Sequence, residues 1–169
     1  MNCPELPVAF CEVQTDEKTV TYVTLSEPAN AFKRGLVSEQ IIGQLLNPLK
    51  AGEALEPDNF GRNPAFVSFL HASIKSRGPS VPGLIDAAQK QGDGLVVITD
   101  GRTRTPQDAI PPEDILGGFE VVAGFIVPDA YHPNPNHRLL TSDGFFRLEA
   151  TLLEGLLEDI ANINTHEPS

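Results

Sequence analysis

Two short segments of the chain hold most of the side chains that could bind or transform a ligand. The first runs from Asp100 to Arg104 and places one carboxylate and two guanidiniums directly after an apolar stretch. Arg102 and Arg104 could hold a carboxylate or a phosphate through their fork-shaped donors, and Asp100 could act as a base. The alternative interpretation is an Asp-Gly turn whose arginines pair with acids at the surface.

The second segment runs from Asp129 to Arg138 and combines imidazole, amide, phenol and guanidinium groups. Histidine suits proton transfer because its pKa lies near neutrality. The spacing of His132 and His137 matches no metal motif, and the prolines between them prevent a helical arrangement, so no metal site is predicted. The alternative is a rigid turn in which asparagine side chains bond to the backbone.

The candidate residues divide into two groups by their expected role. The catalytic candidates are Asp100, His132 and His137. The ligand-binding candidates are Arg102, Arg104, Tyr131, Asn134, Asn136 and Arg138. If the two segments meet in space, they form one cleft with a base, an anion anchor and a second imidazole. This requires the strand before the first segment and the hairpin before the second to end at the same sheet edge.

Charge and composition argue against several classes of protein. Acidic residues outnumber Lys and Arg by 23 to 12 in the 169 residues, and the net charge of -11 opposes binding to nucleic acid and to anionic membranes. The first residues do not resemble a secretory leader, and no apolar run approaches the roughly 20 residues of a membrane span, so a cytoplasmic location is predicted. Phosphate-loop, dinucleotide and hydrolase fingerprints are absent from the sequence, and no cofactor is predicted.

The first part of the chain predicts a hairpin, a helix and a loop. β-branched and aromatic residues favour strands at 8–13 and 19–25, with polar residues between them. Apolar residues recur at helical spacing over 36–46, and Pro48 is expected to end this first helix. Residues 49–61 are rich in turn formers and favour a surface loop.

Two further helices are predicted in the middle of the chain. Asn63 can cap the first of them, Pro64 suits its first turn, and its apolar stripe extends to about Lys75. His71, on this mostly apolar helix, is expected to be partly buried and hydrogen-bonded. The second helix spans about 81–91.

The strand pattern returns after these helices. Residues 94–99 form an almost wholly apolar run, which predicts a central strand buried on both faces. Strands at 119–122 and 125–127 flank Ala123 and Gly124, which suit the turn of a second hairpin.

The last part of the chain predicts a short strand over 138–141 and a closing helix over 145–160. Gly155 weakens that helix by about 1 kcal/mol relative to alanine and could permit the close approach of a neighbouring element. Residues 162–169 are expected to form a flexible tail. The length of the chain suits one globular domain over 1–169.

The predicted order of two strands, three helices, three strands and a final helix favours an α+β fold with one antiparallel sheet of about five strands covered by helices. This order resembles the topology of PAS-like and profilin-like sheets, and the resemblance does not extend to residue motifs or to function. Because catalytic fingerprints are absent, the sequence predicts a non-catalytic module that binds a ligand or an unknown protein partner, with a possible homodimer. The alternative is a small enzyme that acts on an anionic metabolite through the two segments.

Overall fold

The computed structural model describes residues 3–14, 16–25, 38–102 and 110–166, with side chains described as far as residue 162. The strands are β1 (Ala9–Gln14), β2 (Thr19–Thr24), β3 (Ile41–Leu45), β4 (Phe60–Arg62), β5 (Gly94–Thr99), β6 (Ile115–Val122), β7 (Phe125–Pro133), β8 (Leu140–Thr141) and β9 (Gly144–Phe145). The helices are α1 (Pro64–Arg77), α2 (Pro82–Gln91) and α3 (Ala150–His166). Short 3₁₀ turns occur at Ser38–Gln40, Pro57–Asn59, Gly78–Ser80 and Pro112–Asp114.

The strands pair antiparallel in three separate sheets. One sheet has the order β1-β2-β3-β4, a second has the order β5-β6-β7, and β8 pairs with β9 in a short ribbon. The predicted α+β class is confirmed, but the single sheet of about five strands is wrong, because two of the strands occupy segments whose sequence favoured a helix and a loop. The resemblance to PAS-like and profilin-like topology depended on that single sheet and is not confirmed.

The predicted first helix over 36–46 is the largest local error. Residues 36 and 37 lie outside the described residues, Ser38–Gln40 form a 3₁₀ turn, and β3 follows at once. The predicted loop over 49–61 is correct only in part, because its end forms a 3₁₀ turn and most of β4.

A close approach between β3 and β4 explains why this segment is a strand. A Cβ atom on Gly43 would overlap the Gly61 carbonyl oxygen and the ring of Phe60, so glycine is required for the two strands to pair. Glycine also weakens a helix interior, while the adjacent Ile41 and Ile42 favour a strand. The spacing of apolar residues, on which the helix prediction depended, reveals neither the close approach of β4 nor these residue preferences.

β5 is an edge strand, not the central strand that was predicted. Among the described strands it pairs with β6 alone, and β6 lies in the middle of the sheet. Val96 and Ile98 are buried, whereas Leu95 and Val97 are 43% and 44% exposed. An apolar run therefore does not reveal how many neighbours a strand has.

Predictions that depend on local contacts are confirmed. β1 and β2 form the opening hairpin, and α2 lies where the second of the middle helices was expected. Pro64 begins α1, and the side chain of Asn63 accepts a hydrogen bond from the Ala65 N–H at 3.3 Å. The β6–β7 hairpin turns at Ala123 and Gly124, which have φ angles of 51° and 82°, the positive values that a type I′ turn requires.

The end of the chain differs from the prediction in its boundaries. α3 begins later than the predicted helix over 145–160, because Phe145 belongs to β9, and it also ends later, at His166. The strand expected over 138–141 is reduced to β8. Residues 167–169 lie outside the described part of the chain, and the flexibility of residues 162–169 stays a prediction.

One hydrophobic cluster joins both larger sheets to the helices. Its fully buried side chains include Val23, Ile42, Phe66, Leu70, Leu116, Phe119, Phe146, Leu148 and Leu156. This packing brings the end of β4, the first turns of α1 and the end of β7 to one side of the core. No helix in the described part of the chain has both the length and the apolar character needed to cross a bilayer.

Candidate functional site

A buried ion pair between Asp100 and Arg102 lies at the end of β5. Arg102 Nη2 is 2.6 Å from Asp100 Oδ2, and Arg102 Nε lies 3.1 Å from each carboxylate oxygen. Both side chains are completely buried. The backbone N–H of Arg102 also donates to Asp100 Oδ1 at 3.1 Å, so the tight turn after β5 brings the two charges together.

The other donors of Arg102 bond to three further segments of the chain. Nη1 donates to Thr141 Oγ1 at 3.2 Å and to the Gly144 carbonyl at 3.1 Å, both in the β8–β9 ribbon. Nη2 donates to the carbonyl oxygens of Glu113 at 3.0 Å and Arg138 at 2.7 Å. The guanidinium therefore holds these segments together. Its predicted role in ligand binding stays a prediction that this geometry does not favour.

His137 completes the buried network. Its Nε2 lies 3.0 Å from Asp100 Oδ2, and its side chain is only 3% exposed. Burial acts to raise the pKa of Asp100, but hydrogen bonds from His137 and Arg102 outweigh it and hold that pKa below its usual value. Asp100 is therefore an anion that accepts the Nε2 proton, and His137 Nδ1 has no hydrogen-bond partner among the described residues.

A second polar pair links α1 to β7. His71 Nδ1 lies 2.7 Å from the hydroxyl oxygen of Tyr131. Burial, assisted by the nearby His137, lowers the pKa of His71 to about 4, and burial also raises the pKa of Tyr131. Both members of the pair are therefore uncharged at neutral pH, and the expectation that His71 is partly buried and hydrogen-bonded is confirmed.

Replacing His71 by asparagine is expected to reduce the acid sensitivity of the fold. The unfolded chain takes up a proton at His71 near pH 6.5, whereas the folded protein does so only near pH 4, so the free energy of unfolding decreases as the pH falls between these values. Asparagine keeps an acceptor for Tyr131 but does not titrate. Urea unfolding across this pH interval should show a flatter dependence for His71→Asn. The matched control is His132→Asn, at a histidine whose side chain is 61% exposed, and equal flattening by both variants would contradict this assignment.

Two adjoining cavities lie beside these polar pairs, and we call them together the Arg62 cleft. The larger, of about 610 Å³, is bounded by β4 and by the segment 135–140. The smaller, of about 340 Å³, is bounded by the first turns of α1 and by the end of β7. The residues that line both cavities are Arg62, Pro135, His137 and Leu139.

Positive charge dominates the lining of the Arg62 cleft. Arg62 and Arg138 are exposed, and neither forms an ion pair with any described residue. Among the described residues that line either cavity, Glu113 is the only acid. In a chain with a net charge of -11, two arginines in one concave surface create a local attraction for anions.

The structure brings only part of the predicted residue set to this cleft. Asn136 and Arg138 line the larger cavity, and Asn134 lines the smaller one. The Asn134 side chain donates to two backbone carbonyls at 2.8 Å, as expected for a turn-forming asparagine. His132 does not line the cleft: its side chain is 61% exposed and its Nε2 lies 3.6 Å from Glu120.

Sequence reasoning missed the part that Arg62 plays, and it could not name the partner of His71. Arg62 is a single arginine directly after the segment 49–61 that was predicted to be a loop, so no sequence signal placed it in one cavity with Arg138. Arg104, one of the predicted ligand-binding residues, lies outside the described residues.

Comparisons of the chain with models of protein families, with curated proteins and with solved structures find no match. The described residues contain no group of three or more His, Cys, Asp or Glu side chains that could hold a metal ion.

Proposed function

We propose that the protein is a non-catalytic binding module that holds a small anion in the Arg62 cleft. One observation carries this proposal. Arg62 and Arg138 line the cleft without an ion pair to any described residue, whereas the carboxylate and guanidinium of Asp100 and Arg102 are buried against each other. The cleft thus offers anion-binding groups, while the strongest acid-base candidate already serves the fold.

The size and the donor groups of the cleft suit a small molecule. The larger cavity, of about 610 Å³, lies within the range of about 300–1,000 Å³ that is usual for small-molecule sites. Guanidinium groups match the planar geometry of a carboxylate and also bind phosphate oxygens. The Asn136 amide, which also lines this cavity, can add a neutral hydrogen bond.

Neutralising either cleft arginine is expected to weaken anion binding. Charge-assisted hydrogen bonds contribute enough that Arg62→Gln and Arg138→Gln should each raise the Kd for an anion by about tenfold. Isothermal titration calorimetry with benzoate and with inorganic phosphate separates the two anion chemistries, and benzamide serves as the uncharged probe. We expect at least one of the anions to bind more tightly than benzamide.

Lys90→Gln provides the matched control for this experiment. Lys90 lies on α2, its side chain is 77% exposed, and it does not line the cleft. The Lys90→Gln substitution removes one positive charge and should leave the Kd unchanged. The proposal is wrong if neither anion binds better than benzamide, or if Lys90→Gln weakens binding as much as the cleft variants do.

A second candidate function, an enzyme acting on an anionic metabolite, is favoured by one specific observation. His137 has one ring nitrogen held by the buried carboxylate of Asp100, while Nδ1 has no partner among the described residues, an arrangement compatible with a general base. The Arg102 guanidinium donates to the same carboxylate at 2.6 Å, so Asp100 is shared between the two side chains. Turnover of a bound anion that disappears in His137→Gln would favour this alternative.

A further inference from the structure

The smaller cavity of the Arg62 cleft differs in character from the larger one. Its apolar surface comes from Val67, Pro133, Pro135 and Leu139. Arg62, shared with the larger cavity, is its only Lys or Arg, and no Asp or Glu lines it among the described residues. A ligand anchored by its anionic group at Arg62 could therefore extend an uncharged part into this second space.

The hydrogen bond between His71 and Tyr131 decides which ring nitrogen of His71 carries the proton, and so which polar group the smaller cavity offers. If the tyrosine O–H donates to Nδ1, the pair leaves only the His71 Nε2–H without a partner among the described residues. If Nδ1–H donated instead, both the half-buried tyrosine O–H and the Nε2 lone pair would lack partners among the described residues. The first arrangement leaves fewer polar groups unpaired, so it is favoured, and it makes Nε2 a donor.

Apart from Arg62, the other polar side chains that line the smaller cavity are hydrogen-bonded within the fold or exposed to solvent. The His71 Nε2–H is therefore its best-defined donor. The amide of Asn134 bonds to backbone carbonyls, and its oxygen accepts the Asn136 N–H at 3.1 Å. Ser68 is exposed to solvent. The low pKa of His71 keeps its ring uncharged at neutral pH, so the cavity offers a neutral N–H and not a cation.

We propose that the ligand of the Arg62 cleft is an elongated anion whose uncharged, mainly apolar body carries one hydrogen-bond acceptor that bonds to His71 Nε2–H. This inference rests on the proposed function and adds the class of ligand. An aryl or acyl carboxylate with a carbonyl oxygen at its far end has the required groups. A small inorganic anion lacks such a body.

Calorimetry with 4-acetylbenzoate and 4-ethylbenzoate tests the acceptor directly, because the two probes have similar size and differ in one carbonyl oxygen. A second pair of probes, lengthened by one more phenyl ring, tests a greater distance between the carboxylate at Arg62 and the acceptor at His71. For at least one of the lengths, we expect the acetyl probe to bind about fivefold more tightly than the ethyl probe, as one neutral hydrogen bond allows.

Two substitutions at His71 separate the donor from the bond to Tyr131. Asparagine places an amide oxygen near the position of Nδ1 and removes the Nε2 donor, so His71→Asn should abolish the preference for the acetyl probe. Glutamine can place an amide N–H near the position of Nε2, so His71→Gln should retain most of it. Thermal unfolding of both variants checks that each is folded, and nitrogen NMR of the free protein should show the Nε2–H tautomer of His71.

The outcomes distinguish the two proposals. Probes that bind no more tightly than benzamide at either length, together with phosphate that does not bind, would overturn the proposed function and this inference with it. Binding that depends on Arg62 but shows no acetyl preference, or a preference that survives His71→Asn, overturns only the inference. An Nδ1–H tautomer in the free protein also overturns it.

Discussion

Arg102→Met is expected to destabilise the protein by about 3–5 kcal/mol, the cost of leaving a buried charge without its partner. The Asp100 carboxylate would keep only His137 as a side-chain partner at the distances of this network, and the buried Asp114 carboxylate would lose a cation 3.4 Å away. The carbonyl oxygens of Gly144 and Arg138 would lose the hydrogen bonds that the guanidinium donates. Urea unfolding followed by circular dichroism measures the loss. It should exceed that of any exposed arginine in the described part of the chain.

Two further variants test the reason for this loss. Arg147→Met removes an arginine whose side chain is 35% exposed and lies 3.6 Å from Glu5, and it should cost at most about 1 kcal/mol. Asp100→Asn combined with Arg102→Met removes both charges of the closest pair and leaves the buried Asp114, whose Oδ1 lies 3.4 Å from Arg102 Nε. The double variant should therefore be less destabilising than the sum of the single variants. Strict additivity, or a cost for Arg102→Met no greater than that for Arg147→Met, would show that the buried pair contributes little.

Gly155→Ala is expected to destabilise the protein by about 1–3 kcal/mol, as overpacking does, although alanine is the better helix former. A Cβ atom on Gly155 would overlap the Arg77 side chain, which crosses α3 at this point. Arg77 cannot move aside freely, because its Nη2 and Nε bond to Asp159 at 2.7 and 3.1 Å. Ser73 donates to the same carboxylate at 2.8 Å.

The sign of the Gly155 effect should reverse when Arg77 is removed. In the Arg77→Ala background the added methyl group meets no guanidinium stem, and Gly155→Ala should stabilise by about 1 kcal/mol through helix propensity. Urea unfolding of the parent, the two single variants and the double variant gives both values. An effect of the same sign in both backgrounds would mean that Arg77 is not the reason for glycine at this position.

Elements that depend on neighbouring residues were predictable from the sequence, and elements that depend on distant segments were not. The cap at Asn63 and the turn at Ala123 and Gly124 depend on groups within a few residues, and the sequence predicted each correctly. The strand at 41–45 and the edge position of 94–99 depend on which distant segment pairs with them. Apolar spacing carries no information about such partners, so these two predictions were wrong.

The site shows the same division. Residue types alone selected Asp100, Arg102 and His137 as chemically important, and the structure places all three in one network. Whether Arg102 faces a ligand or a buried carboxylate was decided by the β8–β9 ribbon and the segment before β6, which supply its other acceptors. Sequence could not decide this, because all but one of those acceptors, the Thr141 hydroxyl, are backbone carbonyls, which every residue carries.

By itself, the sequence determined the α+β class, the acidic character, the local caps and turns, and the short list of side chains able to do chemistry. Only the tertiary structure decided that Arg62 and Arg138 share one cleft and that His71 is bonded to Tyr131 beside it. The physical reason is the distance along the chain over which each effect acts. Backbone propensities and capping act over a few neighbouring residues, whereas a binding site is made by strand pairing and core packing between segments far apart in the chain.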